Sequence, residues 1–74
     1  MKQSKFKIGD WVIVKSAETL LRNGNKMSYA LAYEHKVGKI IQNYFPKTLN
    51  IYRTTIDKTA LFEEKDLQKF CGGI

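Results

Sequence analysis

Apolar and polar residues alternate along several short stretches of this 74-residue chain, and glycine, asparagine or proline separates most of them. A period of two marks a strand with one buried face. Trp11-Val12-Ile13-Val14-Lys15 follows the turn pair Gly9-Asp10. Its β-branched and aromatic residues favour a pleated strand, with Val12 and Val14 on one face and Trp11 and Ile13 on the other. Val37-Gly38-Lys39-Ile40-Ile41-Gln42 reads as a second strand, in which Gly38 predicts a sharp bend or a close backbone approach. Asn43-Tyr44-Phe45-Pro46-Lys47 breaks the pattern. Residues 48–54 then alternate cleanly, Leu49 and Ile51 facing one way and Asn50 and Tyr52 the other. Asp57-Lys58 fits a hairpin turn into Thr59-Ala60-Leu61-Phe62. Residues 63–67 predict a single helical turn anchored by Leu67, and Gln68-Lys69-Phe70 a last short strand, with Gly72-Gly73 fraying beyond it.

Residues 16–36 interrupt this strand chemistry and read as a long excursion. Ser16 is placed to cap a short helical turn over residues 17–22, which Asn23-Gly24-Asn25 would end. Residues 27–33 carry Tyr29, Leu31 and Tyr33 at alternate positions, as an irregular loop or a poor strand would. Excursions of this length are often functional.

The sum is an all-β fold of five short strands in one small domain over residues 1–74, its core spanning about 6–70. A chain this short buries only about 60% of the surface its unfolded form exposes. The single cysteine, Cys71, excludes an internal disulfide, and with His35 alone beside it a structural zinc site is excluded too. A closed sheet suits a core that must work without staples. The expected core is Ile8, Val12, Val14, Val37, Ile40, Leu49, Ile51, Leu61, Phe62 and Leu67.

The order of elements resembles the small five-stranded SH3-like barrels with a KOW-like pattern, with a long loop after the first strand. The matching pieces are residues 7–14, the Gly38-Lys39-Ile40 strand, Ile51-Tyr52 and the turn Phe62-Glu63-Glu64-Lys65-Asp66-Leu67. In such domains a G-D-x-V-x-V strand opens the barrel and an acidic turn leads to the last strand. The resemblance implies that Leu67 plugs the barrel end while Glu64 or Asp66 holds nearby backbone amides. The 16–36 excursion is longer than a minimal KOW unit needs, which argues against ribosomal or transcription-elongation roles. In size and pattern the chain also looks like short proteins encoded by phages and prophages of Gram-positive bacteria.

Charge and chemistry narrow the function. The formal charge is +6. Residues 1–53 hold ten Lys/Arg against three Asp/Glu, and residues 54–74 hold three against four. A basic body favours acidic partners, either nucleic acid or an acidic protein surface. Catalysis has little to work with: Cys71 sits by two glycines, His35 is remote in sequence, and Glu63, Glu64 and Asp66 read as a solvated surface turn. No cofactor or metal motif is present, so the expectation is a binding module and not an enzyme. The longest apolar run is far too short for a membrane span, and the start has no apolar region of the secretory kind, so a cytoplasmic protein is expected. Tyr44, Phe45 and Lys47 put aromatics and a cation at a loop tip, a kit for stacking bases and pairing phosphates. Lys39, Arg53 and Lys15 would add a basic stripe. Tyr29 and Tyr33, flanked by Lys26 and Lys36, make a second candidate surface. Trp11 is expected on the outer face next to Tyr52. The alternative reading is a protein-interaction module, an accessory or inhibitor from a mobile element. Scarce acidic residues in the long loop argue against recognition of proline-rich peptides.

Overall fold

A computed structural model describes residues 5–45 and 49–71. The expected strand start at Thr48, the Pro46-Lys47 tip and the Gly72-Gly73 tail lie outside them. The elements are β1 (Trp11–Val14), α1 (Ala17–Arg22), α2 (Met27–Tyr33), β2 (Val37–Tyr44), β3 (Ile51–Thr54), β4 (Leu61–Glu63), a 3-10 turn (Glu64–Asp66) and β5 (Leu67–Lys69). All strand pairings are antiparallel, in the order β4-β3-β2-β1-β5. The expected five strands and acidic turn are therefore present. The closed barrel is not: β4 and β5 end the order, and among the described residues no pairing joins them. Two short helices also make the fold less purely β than its patterning suggests.

The first helix forms where the sequence places it. Ser16 Oγ accepts from Thr19 N–H at 3.4 Å, Glu18 and Arg22 pair one turn apart, and Asn23 caps the end before Gly24 at φ 95°. The second helix replaces the expected loop or poor strand. Tyr29, Ala30 and Tyr33 share one helical face: Ala30 is buried and both tyrosines pack on the core. Met27 and Leu31 are left on the solvent side. Alternation at 29, 31 and 33 fits a strand, but Tyr29 and Tyr33, four residues apart, also share a helical face, and packing on Phe62 selects the helix.

β2 does most to shape the sheet. Its first half pairs with β1, its second half with β3, and a bulge between Ile40 and Gln42 lets it bend from one to the other. Gly38 makes the close approach its position predicts. A Cβ there would lie 2.6 Å from Ile56 Cγ1 and 2.9 Å from both Ile56 N and Thr55 Oγ1. The Thr55 hydroxyl is itself fixed, since it accepts from Lys39 N–H at 2.9 Å.

The core consists of Phe6, Val12, Val14, Leu20, Ala30, Ile40, Tyr52, Phe62 and Leu67. Five expected members are not in it. Ile8, Val37, Leu49 and Leu61 are exposed, and Ile51 is half-buried. In β3 the two faces are exchanged: Asn50, Tyr52 and Thr54 point inward. Period-two alternation cannot say which face is core. Here the larger ring wins because its hydroxyl is satisfied inside, donating to Glu64 Oε2 at 2.9 Å. Phe6 then packs edge-on against Tyr52, with centroids 5.4 Å apart.

Glu64 and Asp66 are likewise not on a solvated surface turn; they are buried. Glu64 Oε2 also accepts from Lys5 N–H at 2.9 Å, the backbone amide contact expected of this turn. Asp66 Oδ1 instead takes side-chain amides, Asn23 Nδ2 at 2.8 Å and Asn25 Nδ2 at 3.1 Å.

Two substitutions test this account by urea unfolding. Gly38→Ala forces Ile56 and Thr55 apart and is expected to cost about 1–3 kcal/mol, the usual range for overpacking. Asp66→Ala removes the buried acceptor shared by the part-buried Asn23 and Asn25 amides, which keep only their carbonyl partners, and should cost about 1–3 kcal/mol. An unchanged midpoint in either variant contradicts the corresponding contact.

Candidate basic and aromatic surface

Two strand pairings each set a cation over an aromatic ring on the outer side of the sheet. Trp11 in β1 stands opposite Lys39 in β2, and Lys39 Nζ lies 5.4 Å from the centre of the indole. Past the bulge, the Arg53 guanidinium lies 5.4 Å from the centre of the Tyr44 ring. An exposed cation–aromatic pair such as Lys39 with Trp11 contributes about 0.5–1 kcal/mol. Tyr44 is further oriented by its hydroxyl, 3.1 Å from Gln42 Oε1. Arg53 Nε is buried and makes no hydrogen bond to the described residues.

Phe45 follows directly, 61% exposed and at φ 53°. Positive φ is costly for a bulky side chain, and such outliers concentrate at functional positions. Lys47 lies outside the described residues. Lys39, Arg53, Tyr44 and Phe45 are thus carried on β2, its end and the adjoining β3. Trp11 joins them through Lys39 and not beside Tyr52, which is in the core.

Tyr29 and Tyr33 face the other way. Their rings pack on Phe62 with centroids at 5.7 and 5.3 Å, and on each other at 5.1 Å. Tyr29 donates to the Leu61 carbonyl at 3.2 Å and Tyr33 to Asp57 Oδ2 at 2.5 Å. Burial, followed by the nearby Asp66 carboxylate, pushes the Tyr29 phenol well above its ordinary range. The hydrogen bond to Asp57 raises that of Tyr33. These two rings hold α2 against the sheet. Lys15 lies apart from the Lys39 and Arg53 pairs, with its backbone N–H on the Asp66 carbonyl at 3.0 Å.

The acidic residues are occupied within the fold. Asp10 accepts from Lys7 N–H, Glu34 from Ala17 N–H, and Asp57 from Thr59 and Tyr33. Glu64 and Asp66 are engaged as above. Glu18 pairs with Arg22, and Glu63 with Lys65. Among the described cations only Arg22 and Lys65 have a carboxylate partner. Lys5, Lys7, Lys15, Lys26, Lys36, Lys39, Arg53, Lys58 and Lys69 have none. The sequence conceals this asymmetry, because net charge does not reveal which charges are used internally.

No three His, Cys, Asp or Glu side chains among the described residues gather as metal ligands would. No helix among them is long and apolar enough to cross a membrane. Comparison with protein-family models, with characterised proteins and with solved structures returns no match.

Asp57 gives this region a pH dependence. The Thr59 hydroxyl, then Tyr33 and the Thr59 amide, hold its carboxyl below the ordinary carboxylate range. A lowered folded-state pKa contributes stability that is complete above the unfolded value of about 3.9 and is lost as pH falls through the folded value. In an NMR titration of the Asp57 carboxyl carbon, Thr59→Val should raise the midpoint more than Tyr33→Phe. The reverse order contradicts the ranking of the two contacts.

Proposed function

We propose that this chain is a non-enzymatic binding module of the SH3-like kind whose partner is nucleic acid. The observation that carries this reading is the division of charge. Every Asp and Glu side chain already has a partner within the chain, Glu18 and Glu63 through exposed ion pairs and the rest through hydrogen bonds, while most described cations have no carboxylate partner. The surface offered to a partner is therefore more one-sided than the formal charge of +6 conveys. A polyanion gains from such a surface by releasing its condensed counterions. The aromatic–cation pairs add what a simple polycation lacks. Trp11, Tyr44 and Phe45 are stacking groups for bases, and Lys39 and Arg53 are the adjacent phosphate contacts. Support for the SH3-like reading comes from the strand order, the bent and shared β2, and the 3-10 turn before β5.

A second reading, docking on an acidic protein, rests on a different observation. Met27 and Leu31 on the free side of α2 and Leu61 on β4 are each about half exposed or more. Apolar groups of that size mark protein interaction surfaces when they are contiguous.

Fluorescence anisotropy with short single-stranded and duplex oligonucleotides separates the two. Nucleic-acid binding should weaken steeply as salt rises, and Lys39→Gln should lower the magnitude of the salt slope by about 0.7–0.9. Trp11 emission, from the only tryptophan in the chain, should change on binding. Phe45→Asn relaxes a left-handed backbone position, so it should leave stability unchanged or improved. Loss of one stacked base should still weaken binding by about 1–3 kcal/mol. Absence of binding at low salt would sink the nucleic-acid reading.

A further inference from the structure

A second cationic feature lies at the opposite end of the sheet order from β4. Beside β5 is an open cleft of about 340 Å³, lined by Lys5, Phe6, Lys15, Leu67, Gln68 and Lys69. Phe6 and Leu67 are core residues and give it a rigid floor. The remaining lining groups are three ammonium-bearing side chains and one amide. Among the described residues no carboxylate lines it.

The three lysines come from separate segments, and the fold ties the backbones of those segments together beside the cleft. Lys5 N–H donates to Glu64 Oε2 at 2.9 Å, and Lys15 N–H donates to the Asp66 carbonyl at 3.0 Å. Lys69 stands opposite Val12 in the β1–β5 ladder, two residues from the Val14–Leu67 pair. The 3-10 turn thus holds the chain before β1, the chain after β1, and β5 itself around one spot. Like charges lining one cleft oppose folding, and no carboxylate among its described lining residues offsets them. An oxyanion would.

From this we infer that the cleft is a phosphate-binding site, and that on a nucleic-acid strand it holds a backbone phosphate. Lys5, Lys15 and Lys69 neutralise the anion, and the Gln68 side-chain amide is a neutral donor beside them. Phosphate suits the site because the donors are rotatable point charges, which accept a tetrahedral anion without needing planar bidentate geometry. The nucleic-acid half of the inference rests on the proposed function; the phosphate half stands on the cleft alone.

The test has two arms. In the first, anisotropy with a twelve-residue oligothymidylate compares the wild type with the double variant Lys15→Gln/Lys69→Gln. The control, Lys7→Gln/Lys58→Gln, removes the same charge outside the cleft. The cleft variant should bind at least tenfold more weakly at 50 mM salt, with a salt slope smaller by about 1.4, as two lost phosphate contacts require. The control should lose less than threefold. In the second arm, sodium pyrophosphate is titrated into the ¹⁵N-labelled wild-type protein at low ionic strength. Saturable shifts should centre on the Leu67, Gln68 and Lys15 amides. Equal losses in both double variants, or no saturable shift at the cleft, overturn the site while leaving nucleic-acid binding intact. Saturable pyrophosphate shifts with no oligonucleotide binding uphold the phosphate site and reject the nucleic-acid reading.

Discussion

Two buried carboxylates on a single helical turn hold this small domain together. Glu64 ties Tyr52 of β3 to the chain just before β1, and Asp66 ties the end of α1 to the start of β5. Burying an ionised group without partners costs far more than a domain of this size can offset. Each carboxylate therefore has to collect hydrogen-bond donors, and the donors available come from distant parts of the sequence. Many connections between elements follow from that requirement: Phe6 is drawn onto Tyr52, α1 is drawn under the turn, and β5 is drawn beside β1. With no disulfide among its staples, the fold uses a polar knot in their place.

The same requirement shapes the exterior. Asp10, Glu34 and Asp57 hold turns and a helix start in the way Glu64 and Asp66 hold the sheet. Lysines perform no comparable internal task. Acid and base have separated by role, and the outward consequence is a nearly uncompensated cationic surface. Both the aromatic pairs around β2 and the cleft beside β5 draw on that separation, so one architectural economy lies behind both proposed contact regions.

Much of the fold was legible in the sequence where local chemistry decides. The turn at Gly9-Asp10, the Ser16 cap, the close approach at Gly38 and the acidic turn before β5 each follow from residue type and position. What was not legible depends on partners far away in the chain. Alternation in β3 left both faces possible, and only the Glu64 contact selects Tyr52 over Ile51. Ile8 reads as core yet lies exposed in the turn, while Phe6 two residues earlier is taken by Tyr52. Residues 27–33 change from loop to helix because Phe62 offers a surface for two tyrosines. For the site, Tyr44, Phe45, Lys39 and Arg53 could be picked out as aromatics and cations near β2. Lys5 and Lys69 could not, because their only signal was adjacency to Phe6 and proximity to Leu67, residues whose own burial is a tertiary fact.

The long reach of the Glu64 knot also sets the order in which the chain can assemble. Lys5 and Glu64 are 59 residues apart, and β1 gains its second neighbour only from residues 67–69. Contacts of such separation close large loops before they return any stabilisation, and they slow folding. On a ribosome the first strand must wait, half paired, until the last one has emerged. Through that interval one side of the Trp11–Val14 strand is an open apolar edge, and charged side chains beside such an edge, as Lys15 is here, oppose pairing between chains.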